Sequence, residues 1–349
     1  MPESETDGQW QEIIRFYAQG SDLLLNCLAA ASLSYRRATV CVPFPKCFQL
    51  SNNSRDYSAL QQCLDTLPSL HELSTASKEN LNLTCQHRAL LEWTLASHPR
   101  RKASAFQPIS LLTFLHEVPC ARLTGSHASN PSLLPEAVFK LALNAQPNVA
   151  DTNSALNGGF EGNDAAQQRT VTAFHGTSFE CLHSILRSGL VPASNTKLER
   201  NGKTFGEGIY LTTELPVAYS FCSGAERWKG STLAPEGTRL RCVLVCGVKE
   251  NAQIDKTELV SNKNGDPPPE HYLVIDRPDL IKIQYILVYV DHCGNNSSRN
   301  LAAAAPVAGQ DSQNTGAVSL SSMAGVVVFI AIVLWLIMPG SSSSRNFMY

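Results

Sequence analysis

Residues 170–177 read TVTAFHGT, a run of β-branched and aromatic side chains that ends on His175, Gly176 and Thr177. Such a run is expected to form a strand, here one that delivers an imidazole and a glycine together at its end. Glycine lets the backbone approach a flat ring and offers its N–H and C=O to an amide. Imidazole can hydrogen-bond a sugar hydroxyl. The pair therefore suits a ligand clamp, although a strand-end histidine can equally be structural. The following SFECLHSILRSGL, residues 178–190, places Leu182, Ile185 and Leu186 on one helical face and Gly189 where a helix stops.

Two further stretches on the C-terminal side carry matching features. In FGEGIYLTTELPVAYSFC, residues 205–222, glycines flank Glu207, and Ile209-Tyr210-Leu211 reads as a short strand. From Pro216 a helix is expected, carrying Tyr219 and Phe221, and Tyr210 and Phe221 could sandwich an aromatic ring. In PPPEHYLVIDRPDLIKIQYILVYV, residues 267–290, Tyr272 opens one strand and a second carries Tyr285 and Tyr289.

The first hundred residues read as helices. Trp10, Ile13, Ile14 and Tyr17 recur at helical spacing, as do Leu24, Cys27, Leu28 and Ala31, then Leu60, Cys63, Leu64 and Leu67. A fourth helical stretch, residues 79–98, stops at Pro99. After Lys102 short β-like runs take over: SLLTFLHEV (110–118), EAVFKLAL (136–143), RLRCVLVCGV (239–248), HYLVI (271–275) and IKIQYILVYV (281–290). Residues 144–168, rich in Asn, Ala, Gly and Asp, read as an insertion between strands.

Between Asp311 and Arg345 there is no charged residue, and residues 323–338 read MAGVVVFIAIVLWLIM. Extended back to Ala317, this gives about 22 residues, enough to cross a hydrocarbon core of about 30 Å. A helix is expected there, because lipid offers the backbone no partners. The N-terminus has acidic residues and no apolar secretory region, so the bulk of the chain is expected to face the cytosol. The Asn-x-Ser/Thr patterns at Asn52, Asn82, Asn295 and Asn296 would then stay unmodified.

Composition fits that placement. The 11 cysteines form no CxxC pair, which indicates neither a zinc ribbon nor a disulfide framework. His175, Cys181, His183 and His271 fit no standard zinc spacing, so no metal is expected. A net charge of −2 argues against direct nucleic-acid binding.

A strand ending His-Gly-Thr, a Gly-x-Gly-x-Tyr element some 35 residues on and a closing strand pair resemble the catalytic domain of the poly(ADP-ribose) polymerase family. The helical N-terminus joins the likeness through SYRRATVCVPFP, residues 34–45. With the apolar C-terminal segment, the chain is similar to that family's tail-anchored mono-ADP-ribosyltransferase of the endoplasmic reticulum and nuclear envelope.

The resemblance implies an α+β plan: an N-terminal α-helical regulatory domain (1–104) and a diphtheria-toxin-like ADP-ribosyltransferase β-sheet domain (105–291). A flexible linker (292–316), a transmembrane tail anchor (317–338) and a short lumenal tail (339–349) would follow. It implies NAD⁺ as substrate, with no metal, and transfer of a single ADP-ribose to protein side chains, including the enzyme's own, with release of nicotinamide. The implied acceptors are proteins in the cytosol and at the endoplasmic-reticulum membrane. By motif, the catalytic residues are His175, Tyr210 and Tyr272, and the NAD⁺-binding set is His175, Gly176, Tyr210, Tyr219 and Phe221.

Two departures from the family pattern stand out. Tyr272 replaces the glutamate of the polymerases, and a phenol with a pKa of about 10 is a poor general base at neutral pH. Ala218 stands where many members carry the serine that binds the carboxamide. A catalytically silent NAD⁺-binding module and a tail-anchored adaptor are the alternative readings.

Overall fold

Helical periodicity in the first hundred residues becomes six α-helices among the described residues. They are α1 (Gln9–Phe16), α2 (Ala18–Leu33), α3 (Arg37–Val40), α4 (Tyr57–Thr66), α5 (Leu70–Thr75) and α6 (Cys85–Leu95). The computed structural model describes residues 9–76, 80–97, 102–121, 133–142, 170–192, 207–249 and 269–292. Three helix starts are fixed by side chains that accept from backbone donors a helix leaves unpaired. Asp56 caps α4, while Ser69 with Glu72, and Thr84 with His87, form capping boxes on α5 and α6. Helix α2 is buried on all sides from Gly20 to Ser32, so it is the axis around which the other helices pack.

Beyond Lys102 come β1 (Phe106–Ile109), α7 (Leu111–Glu117), β2 (Ala137–Leu141), β3 (Thr170–Thr177) and α8 (Leu182–Ser188). They are followed by β4 (Ile209–Thr212), α9 (Leu215–Ser220), β5 (Ala225–Glu226), β6 (Thr238–Lys249), β7 (Tyr272–Ile275) and β8 (Ile281–His292). One expectation fails here: SLLTFLHEV is not a strand but α7. Ser110 caps it by accepting from the Thr113 amide at 3.0 Å, and Phe114 and Val118, four apart, bury one stripe against the sheet. Apolar content suggested a strand, whereas the cap and the four-residue spacing make a helix.

The strands form one sheet in the order β1-β2-β8-β6-β3-β4-β7, with β5 paired to β6. The pairings are antiparallel. Helices and sheet together make an α+β architecture. One sheet face carries Ala173, Leu244, Ile286 and Val288, which share a continuous core with Leu23, Leu28, Leu60 and Leu91 of the helical region. The other face carries Phe174, Val243, Val245 and Leu287 beneath α7 and α9.

The helical region grips the sheet region through polar groups as well. From α2, Asn26 Nδ2 donates to Ser231 Oγ at 2.8 Å, and Asn26 Oδ1 accepts from the Trp228 amide at 2.8 Å. Asp22 Oδ2 accepts from the amide and hydroxyl of Thr232 at 2.7 and 2.9 Å. Burial raises the Asp22 carboxyl above the ordinary carboxylate range, against the pull of its donors from Ser231 and Thr232. From α8, Arg187 Nη2 donates to Thr94 O at 2.8 Å, with its guanidinium 4.8 Å from the Trp93 ring centroid.

The expected insertion at 144–168, the linker beyond His292, the membrane segment 317–338 and the tail 339–349 lie outside the described residues. Among the described residues, no helix is long and apolar enough to cross a membrane.

Candidate active site

Strand β3 is central, paired along its whole length to β6, from Thr170–Lys249 to Thr177–Cys242. On its other side it pairs with β4 only at Phe174–Thr212. Beyond that pair the ladder stops, leaving His175 and Gly176 on one side and Tyr210 on the other.

His175 bridges the gap with its own ring. Its Nδ1 lies 2.8 Å from the main-chain oxygen of Tyr210. A carbonyl only accepts, so Nδ1 carries the hydrogen and Nε2 is left as the free acceptor when the ring is neutral. Burial lowers the pKa of this imidazole, and the Tyr210 carbonyl works in the opposite direction. The half-buried ring is therefore poised to accept a hydroxyl hydrogen at Nε2.

Gly176 is required by close approach. A Cβ there would fall 1.7 Å from the carbonyl oxygen of Ala218 and 3.2 Å from Cβ of Phe221. Helix α9 thus lies directly on the glycine backbone. Phe221 caps the end of α9, and at 41% exposed its ring is accessible beside Gly176.

The third motif arrives through β7. Thr212 opposes Tyr272 and Tyr210 opposes Val274 in the antiparallel β4–β7 ladder. Residues two apart share a face, so Tyr210 and Tyr272 project from one face as diagonal neighbours. Such positions lie about 7–8 Å apart. Gly208 permits this pairing: its φ is +152°, and a Cβ would meet Val274 Cγ1 at 2.7 Å. Burial, then the nearby Glu214 carboxylate, push the Tyr272 phenol above its ordinary pKa. It stays protonated at neutral pH.

His175 is thus linked to the Tyr210 backbone, Gly176 to α9 and Phe221, and Tyr210 to Tyr272 through the β4–β7 ladder. Tyr219 does not join them. Its ring lies edge-on to Tyr289, centroids 4.8 Å apart, with the Arg241 guanidinium 5.6 Å away. It steadies α9 from behind.

Two residues near Tyr272 carry no part of the motif. Glu214 is the N-cap residue of α9, with Oε1 4.0 Å from Nδ1 of His271. The His271 and Tyr272 ring centroids are 4.9 Å apart. Spacing alone could not pair Glu214 with His271, since the turn after β4 and the start of β7 are far apart in sequence. His183 is elsewhere: its Nε2 lies 2.9 Å from Pro43 O in the core. Among the described residues, no group of three or more His, Cys, Asp or Glu side chains could hold a metal ion.

The chain matches two family models. Residues 12–95 match the ARTD15 N-terminal domain, and residues 148–266 match the poly(ADP-ribose) polymerase catalytic domain. The second match includes His175 and Tyr210 but stops short of Tyr272, which joins the site through its β7–β4 register. Among curated proteins, the chain is 28% identical over 303 residues to protein mono-ADP-ribosyltransferase PARP16 of Homo sapiens, covering 81% of this chain and 82% of the relative. It is 28% identical over 302 residues to PARP16 of Mus musculus, with the same coverage. Protein mono-ADP-ribosyltransferase PARP8 of Mus musculus is 24% identical over 229 residues, covering 62% of this chain and 24% of that protein.

Proposed function

Because this chain belongs to the poly(ADP-ribose) polymerase family and is an NAD⁺-dependent ADP-ribosyltransferase, we propose that it transfers single ADP-ribose units to protein side chains, its own included. The observation that carries this reading is the His175–Tyr210 bridge with Tyr272 on the same face as Tyr210. In this reading, His175 Nε2 accepts from a ribose hydroxyl of NAD⁺. Backbone groups of Gly176 bind the nicotinamide carboxamide, taking over where Ala218 offers no hydroxyl. Tyr210 and Phe221 hold the nicotinamide ring between them, and Tyr219 braces α9.

The glycosidic bond to nicotinamide then breaks. Its electron pair neutralises the pyridinium nitrogen, and an acceptor side chain captures the oxocarbenium-like ribose carbon. Tyr272, a phenol kept protonated by burial and Glu214, cannot activate the hydroxyl of an already attached ADP-ribose. Each acceptor therefore receives one unit.

The apolar run at 317–338 supports a further part of the proposal: a single span that holds the enzyme on the cytosolic face of the endoplasmic-reticulum membrane, after a flexible linker from 292. With about 25 linker residues, the reach would be roughly 5–6 Å × √n. The helical domain, 1–104, then acts as a regulatory brace behind the site, through α2 and through Thr94, which accepts from Arg187 of α8.

Incubating the purified full chain with labelled NAD⁺ tests the activity. Label on protein, lost in His175→Ala and Tyr210→Ala, is expected; NAD⁺ binding without label in the parent would overturn the reading. Glycan attachment at Asn52 or Asn82 in cells would overturn the topology.

A further inference from the structure

The turn that joins β4 to α9 is pinned to the start of β7. The Thr213 amide donates to His271 O at 2.9 Å, and the Glu214 amide donates to Thr212 Oγ1 at 3.1 Å. These bonds hold Glu214 and His271 at one rim of the site, their side chains 56% and 30% exposed. The Glu214 carboxylate is 4.0 Å from His271 Nδ1, and the His271 ring lies beside Tyr272. At 4.0 Å the two are an ion-pair contact and not a hydrogen bond; with Nδ1 turned to the carboxylate, Nε2 is the nitrogen left to act as a base. None of the roles given to the NAD⁺-binding residues uses this pair.

A nucleophile that arrives carrying a proton must lose it when it bonds to the ribose carbon. Tyr272 is a phenol and cannot take that proton at neutral pH. We propose that His271, oriented by Glu214, is the general base for the acceptor, and that the enzyme's acceptors are protonated nucleophiles such as serine hydroxyls instead of carboxylates. This rests on the transferase reading above and adds the acceptor class to it.

The step balances. The acceptor O–H bond breaks and its proton goes to His271 Nε2. The oxygen–ribose bond forms as the ribose–nicotinamide bond breaks, and the electron pair of that bond stays on the nicotinamide nitrogen. The positive charge carried by the pyridinium reappears on the imidazolium, where Glu214 faces it. Among the described residues, the titratable neighbours of His271 are Glu214 on α9, Tyr272 beside it on β7 and Glu270 before it in the turn.

The test uses the full chain. His271→Gln is expected to lower kcat for protein labelling about 100-fold, at unchanged KM for NAD⁺. The acidic limb of the kcat–pH profile should be lost with it. Glu214→Gln, a positioning change on an exposed cap, should lower kcat about tenfold, shift that limb and leave NAD⁺ binding intact; it carries the test if His271→Gln does not fold. The label on the parent should resist hydroxylamine, which strips carboxylate-linked ADP-ribose. Labelling within twofold of the parent in both variants, or hydroxylamine-labile label, overturns this inference and leaves the transferase reading standing. A parent that labels no protein overturns both.

Discussion

His175 Nδ1 lies 2.8 Å from the main-chain oxygen of Tyr210, so the first motif residue is tied to the backbone of the second, 35 positions on. This fixes Nε2 as the ring nitrogen left to accept a hydrogen. Because burial keeps the imidazole neutral below its ordinary pKa, KM for NAD⁺ is expected to stay flat from pH 8 to about 6.5. It should rise only in more acidic solution, where Nε2 gains a proton. His175→Ala should weaken NAD⁺ binding at every pH, measured by titration calorimetry.

Gly176→Ala would place a methyl group 1.7 Å from the Ala218 oxygen. Helix α9 must shift, and overpacking against backbone costs about 3 kcal/mol. A lowered thermal midpoint and lost labelling are expected together; normal activity in this variant would show that α9 does not seat on the glycine.

Tyr272 is raised above the ordinary phenol value, first by burial and then by Glu214. Raising the pH to 9 should therefore not convert it to a base. On denaturing gels the product should remain a single modified band across pH 6–9; a ladder of polymer would contradict the role given to this phenol.

His183 sits in the core, 2% exposed, its Nε2 2.9 Å from Pro43 O. Burial, then the charge of Arg187, lower its pKa to about 3. A histidine with a depressed folded pKa binds its proton more readily when unfolded, so stability is full above about pH 6.5 and falls as pH drops. Over the interval to pH 5 the loss is about 2 kcal/mol. Urea melts at pH 7 and pH 5 should show it, and His183→Gln should flatten the difference.

Asn26→Ala would leave the buried Trp228 amide without its acceptor and remove the donor to Ser231. An orphaned buried donor costs about 1–3 kcal/mol. Removing residues 1–104 altogether would expose the sheet face carrying Leu244 and Ile286, and that fragment is expected to be insoluble. A soluble, active 105–349 fragment would refute the shared core.

Much of the fold is local and therefore legible in the chain. Ile14, Leu24, Leu28, Leu60 and Leu64 repeat with the helical period because each must face one core. Strands β6 and β8 are dense in apolar residues because their central segments are buried on both faces. SLLTFLHEV, read as a strand, forms α7 instead, since a short apolar run suits either element until a cap decides it. The motif spacing singled out His175, Gly176, Tyr210, Phe221 and Tyr272.

What the sequence by itself determined was which residue types stand where: a histidine and glycine at a strand end, and a tyrosine in each of two later strands. Only the tertiary structure decided how they meet. The early end of the β3–β4 ladder gives the Tyr210 carbonyl to the His175 ring, and the β4–β7 register puts Tyr272 on the face of Tyr210. Tyr219, equal to Phe221 on composition, turns to Tyr289 because helical geometry sends residues two apart in different directions. The same long-range packing sets Glu214 beside His271. Side-chain meetings of this kind are fixed by pairing register and helix seating, which depend on contacts between segments distant in the chain.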